Sequence, residues 1–111
     1  MDNELLDLSA LQELEDSAGA EFVRELVAAF FEEAPGMLAE LESALVKGDA
    51  TRFRRAAHSL KTNASTFGLC ALAEHSKGLE LGDLPADQSG LEILRQLYDA
   101  SASRLGAAVD G

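Results

Sequence analysis

Ala50-Thr51-Arg52-Phe53-Arg54-Arg55-Ala56-Ala57-His58-Ser59-Leu60-Lys61-Thr62-Asn63-Ala64-Ser65-Thr66-Phe67 brings back an apolar side chain every three or four positions. At about 100° per residue, Phe53, Ala56, Ala57, Leu60, Ala64 and Phe67 fall within roughly one third of a helical circumference, which marks the buried stripe of an amphipathic helix. His58, Lys61, Thr62 and Ser65 project from the opposite half, because positions three, four and seven apart share a helix face. The histidine is therefore expected to face water.

The charge around it is uneven. The chain of 111 residues carries a formal net charge of −11. Between Ala50 and Ala73 there are four basic residues, Arg52, Arg54, Arg55 and Lys61, and no acidic one. A solvent-facing imidazole is largely neutral at pH 7, and its free ring nitrogen is a competent nucleophile that can be phosphorylated. Lys61, one turn further along the same face, is placed to set an ammonium against the oxygens of a phosphoryl group on that ring. Gly68 is read as the end of the helix and as room beside the imidazole for a partner. On wheel and charge alone, a surface histidine in an ordinary helical bundle explains the same residues.

Outward from this helix the whole chain reads as helical. Ala20 to Lys47 repeats apolar residues at helical spacing through Val23, Leu26, Val27, Phe30, Ala34, Met37, Leu38, Leu41, Ala44 and Leu45. Pro35-Gly36 interrupts it, yet the stripe keeps its phase across the pair, which predicts one kinked helix rather than two. Gly48 after Lys47 is a C-terminal signal and Asp49 an N-cap for the helix carrying His58. Upstream, Met1 to Leu8 reads as a lead-in that packs some of its leucines. Ser9-Ala10-Leu11-Gln12 reads as a capping box opening a short helix to Glu15 or Asp16. Downstream, Leu69 to about Leu81 has Leu69, Leu72, Ser76 and Leu79 on its inner face and His75 at the edge. Residues 82–87 read as a loop, and Ser89-Gly90-Leu91-Glu92 as a second capping box, with Ala86 as an alternative start, before a last helix with the stripe Leu91, Leu94, Leu97, Tyr98, Ala102, Leu105 and Val109. The expected fold is all-α, an antiparallel up-down-up-down four-helix bundle with a short extra N-terminal helix, forming one domain over 1–111.

Composition narrows the function classes. The strong negative charge argues against nucleic acid and anionic lipid as partners. No apolar run approaches the roughly 20 residues needed to cross a bilayer. One cysteine, Cys70, cannot form an internal disulfide, and a cytoplasmic, reducing compartment is expected. The two histidines, Cys70 and the carboxylates show no metal-ligand spacing, so no metal site is expected. His75 reads as a core-edge histidine bonded to a carbonyl or water, and Cys70 as a small packing residue. The five phenylalanines read as core, with Phe31 off the main stripe and near a partner face. An enzyme using His58 as a general base would lack a companion acid and oxyanion donors.

His58-x-x-Lys61, a glycine at Gly68, Leu72 and the pair Leu79-Glu80 together resemble the histidine-containing phosphotransfer (HPt) domain of phosphorelays. The resemblance extends upstream to Glu21–Leu26 and Phe30–Pro35 and covers roughly residues 8–105. Two positions depart from it: Thr62 stands where the family commonly has glycine, and His75 where an apolar residue is usual. The resemblance implies that His58 accepts a phosphoryl group from the phospho-aspartate of a response-regulator receiver domain and hands it to another receiver. Lys61 would steady the phosphohistidine, Ser65 would bond to the imidazole or phosphoryl oxygens through water, and Arg54, Arg55, Thr62 and Gly68 would form the docking face. The expected partners are receiver domains and a hybrid sensor kinase, with the chain itself a monomer and no enzyme. It would hold no cofactor, magnesium being expected only on the partner receiver. The alternative is a helical bundle that docks a signalling protein without phosphotransfer.

Overall fold

The computed structural model describes residues 5–110, so the expectation for Met1 to Leu8 lies partly outside the described residues; of its leucines, Leu6 is buried and Leu8 is exposed. Five helices follow in order: α1 (Leu8–Ala18), α2 (Ala20–Lys47), α3 (Ala50–Thr66), α4 (Cys70–Leu81) and α5 (Ser89–Asp110). Contacts run from α2 to α3, α3 to α4, α4 to α5 and α5 back to α2, which closes an antiparallel four-helix ring. α1 lies outside that ring against α2 and α3.

α2 is the long strut. Its 28 residues span about 42 Å at 1.5 Å per residue, which matches the 41 Å long axis of the molecule. Pro35 sits inside it without ending it. Pro35 and Gly36 both face water, so solvent can satisfy the carbonyl that proline leaves without a donor. Buried Ala34 and Leu38 on either side keep the apolar stripe in phase.

α2 ends on Gly48, whose φ of 68° is left-handed and whose N–H reaches Ala44 O and Leu45 O. Asp49 follows at once and accepts from Arg52 N–H at 3.1 Å, capping α3. That two-residue reversal fixes α2 and α3 as antiparallel neighbours. Every member of the predicted α3 stripe, from Phe53 to Phe67, is buried.

Two helix starts differ from the capping-box reading, for the same reason. Asp7 Oδ1, not Ser9, caps α1, accepting Ser9 N–H at 3.0 Å and Ala10 N–H at 3.3 Å. Before α5, Asp87 Oδ1 accepts both the N–H of Ser89 at 3.0 Å and its hydroxyl at 2.6 Å. In each case an aspartate two residues ahead of the serine takes the donor. α1 also runs beyond Asp16 to Ala18 before Gly19 ends it.

The core is centred on Phe30, which packs against Phe67 at 5.6 Å between ring centroids and edge-on against Tyr98 at 5.9 Å. Phe31 is half-buried, 6.1 Å from Phe30, with its ring beside Gly106 of α5. It therefore packs inside the bundle instead of offering itself to a partner. Phe22 is half exposed and is not core. On α5 the fully buried residue between Leu94 and Leu105 is Ser101, next to the predicted Ala102. No helix among the described residues is long and apolar enough to cross a membrane.

Candidate functional site

The α3–α4 turn sets the level at which side chains of the two helices meet. His58 lies ten residues before Gly68 and Glu80 twelve after it, so each is about 15–18 Å from the turn along its own helix. Antiparallel packing brings them side by side. His58 Nδ1 is 2.7 Å from Glu80 Oε2, and Lys61 Nζ is 2.8 Å from Glu80 Oε1. One carboxylate from the last turn of α4 bridges the histidine and the lysine of α3.

The Lys61 ammonium beside it, and to a lesser extent the hydrogen bond from His58, hold the Glu80 carboxyl below the ordinary glutamate value, against an opposing contribution from partial burial. An ionised carboxylate only accepts, so Nδ1 carries the proton shared with Glu80. That assigns the lone pair to Nε2. The His58 side chain is 56% exposed, whereas Glu80 is 19% exposed, so the acceptor is sheltered and the ring is presented to solvent.

Of the basic residues, Arg52 is turned away: its Nε donates to Glu40 Oε1 of α2 at 2.6 Å. Lys61 is less exposed than its wheel position suggests, because it folds onto Glu80. Arg54 and Arg55 are exposed, and with His58, Ser59 and Glu80 they line a shallow depression. Thr62 is exposed one turn beyond His58 on the same face. Ser65 is exposed there too, but seven residues from His58 places it about 10 Å along the axis. Direct contact with the imidazole is out of its reach.

Gly68 requires a correction. It is buried at the end of α3, with φ 75°, and a Cβ there would lie 2.8 Å from Asp7 O and 3.2 Å from Ala10 Cβ. Asp7 N–H donates to Gly68 O at 2.7 Å. The missing side chain makes room for the segment leading into α1, and the helix length separates it from the imidazole.

Elsewhere, His75 Nε2 is 3.0 Å from Gly90 O, tying α4 to the first turn of α5 as a core-edge histidine does. Cys70 is exposed and is not a packing residue; its thiol donates to Gly68 O at 3.3 Å. Glu80 entered the sequence reading only through the pair Leu79-Glu80 that carries the resemblance, and neither it nor Ser59 was given a role in the site. The signal for Glu80 was present in its distance from the turn, matched to that of His58.

A family model described as "Hpt domain" matches residues 25–104. Over 92 residues, 83% of this chain, the sequence is 32% identical to "Sensor protein TorS" of Escherichia coli (strain K12). The match takes in 10% of that sensor protein, so the chain spans about a tenth of its relative. Among solved structures, the histidine-containing phosphotransfer domain of ArcB from Escherichia coli superposes with a TM-score of 0.83 at 26% identity, covering 96% of this chain and 93% of that one.

Proposed function

This chain belongs to the Hpt domain family, and we propose that it serves phosphotransfer in a phosphorelay, with His58 as the phosphoryl acceptor and Nε2 as the atom that carries the group. The observation supporting this is the hydrogen bond of Nδ1 to Glu80 at 2.7 Å on a ring otherwise open to solvent. It orients the imidazole, fixes its tautomer and leaves one nucleophilic nitrogen.

In the proposed step, Nε2 attacks the phosphorus of a receiver's phospho-aspartate in line. The Nε2–P bond forms as the P–O bond to the aspartate breaks, and the electron pair leaves with the aspartate carboxylate. The imidazole keeps its Nδ1 proton and becomes cationic. Glu80 stabilises that charge, while Lys61 offsets the carboxylate's own charge and stands one side-chain swing from the phosphoryl oxygens. Transfer onward reverses these bonds toward a second receiver. Both receivers, and a hybrid sensor kinase upstream, are the partners of this reading. Magnesium is assigned to the receiver, and no cofactor or independent active site to this chain. Arg54, Arg55, Thr62 and Ser65 form the exposed face that meets the acidic receiver surface. Residues 1–111 act as one phosphotransfer domain, in the cytoplasm and without self-association.

Incubation with a radiolabelled phospho-receiver tests the assignment. Acid-labile, alkali-stable label is expected on the chain and is expected to vanish in His58→Gln, which should stay folded because the position is exposed. Label that persists in a folded His58→Gln would place the acceptor elsewhere.

A further inference from the structure

Anchoring one ring nitrogen decides where the other points. The two nitrogens of an imidazole face nearly opposite sides of the ring, so with Nδ1 on Glu80 Nε2 faces away from that carboxylate. Lys61 is held on the Glu80 side as well, by its contact with Oε1. Around α3, Lys61 lies about 60° to one side of His58, whereas Arg55 lies about 60° and Ser59 about 100° to the other. Arg55 and Ser59 are four residues apart and hence neighbours on the helix surface. Both are exposed, and both line the depression beside His58, which Arg54 and Glu80 also line. Arg52 and Lys61 each have a carboxylate partner, and Arg55 has none among the described residues.

Resting on the reading that Nε2 of His58 accepts the phosphoryl group, we propose that Arg55 and Ser59 form the phosphoryl-binding flank of the site. As the Nε2–P bond forms and the P–O bond to the receiver's aspartate breaks, the guanidinium of Arg55 and the hydroxyl of Ser59 donate to the phosphoryl oxygens. The leaving carboxylate takes the electron pair, and the Nδ1 proton stays on the Glu80 side. Lys61 then acts chiefly by keeping Glu80 from repelling the incoming anion. A guanidinium is suited to this task, since its planar fork can bond two phosphoryl oxygens at once.

Docking and phosphoryl contact are separable by kinetics. A cation that only meets the receiver's acidic surface changes the concentration at which transfer half-saturates, whereas one on the transferring group changes the maximal rate. Single-turnover transfer from a phospho-receiver is measured over a range of receiver concentrations for the chain, Arg55→Gln, Arg55→Lys, Ser59→Ala and His58→Gln. Arg55→Gln is expected to lower the maximal rate roughly tenfold or more, in addition to any rise in the half-saturating concentration that its place on the docking face brings. Arg55→Lys should recover part of the loss, and Ser59→Ala should show a smaller one. An effect of Arg55→Gln confined to half-saturation, or no effect, overturns the proposal. Label on His58→Gln would instead overturn the underlying reading, so the two failures are distinguished in one experiment.

Discussion

Glu80 does at the residue scale what neither His58 nor Lys61 can do alone: it fixes the orientation of an imidazole and holds a cation with the two oxygens of one carboxyl. Its folded-state pKa is lowered, chiefly by Lys61 and secondarily by His58, so its contribution to stability is present above the ordinary glutamate value of 4.5 and is lost as pH falls through the lowered value. Urea unfolding of the chain and of Glu80→Gln at a series of pH values is therefore expected to show a stability gap at neutral pH that closes in acid, below the ordinary range. A gap that is independent of pH would contradict the bridging role. The wheel placed His58 correctly because an exposed helix face is a local property. It misjudged Lys61 because the partner that draws the lysine in comes from another helix, nineteen residues away in sequence.

Helices in this chain persist through one strong breaker and begin on aspartates. Pro35 lies in the interior of α2 with its face in water, where it costs a backbone hydrogen bond and relieves no contact evident in the bundle. Pro35→Ala is expected to stabilise the chain by roughly 1–3 kcal/mol, read as a raised urea midpoint with an unchanged slope. A fall in stability would mean that proline's fixed φ is needed there. The helix count, the continuity of α2 and the Gly48-Asp49 reversal were legible because each depends on residues within a few positions of one another. The start of α1 was misplaced, and the cap before α5 was misassigned, because the capping-box pattern was read from the serine. Asp7-Leu8-Ser9 and Asp87-Gln88-Ser89 share one arrangement, in which the carboxylate accepts the serine's N–H and so moves the cap upstream. Gly68 was misread for a related reason: its neighbour in space, Asp7, is distant in sequence.

Across the whole molecule, Phe30 joins the aromatic packing of α2, the end of α3 and α5, and Tyr98 reports on it. Desolvation, helped by the nearby charge of Asp99, raises the Tyr98 phenol above its ordinary 10.0. This is the chain's single tyrosine and there is no tryptophan, so phenolate absorbance is unambiguous. The folded chain is expected to titrate above 10.0 and the urea-unfolded chain at the ordinary value, with stability falling as pH rises between the two. Coincident titrations would mean that α5 does not pack on Phe30 as described. The central claim, that this bundle exists to present Nε2 of His58, is most directly tested by long-range proton–nitrogen correlation on the chain with nitrogen-15 histidine, before and after phosphorylation by a phospho-receiver. The His58 Nε2 resonance is expected to move to that of a phosphorylated nitrogen while Nδ1 keeps its proton and the His75 resonances stay in place. Phosphorylation at Nδ1, or at His75, would contradict it.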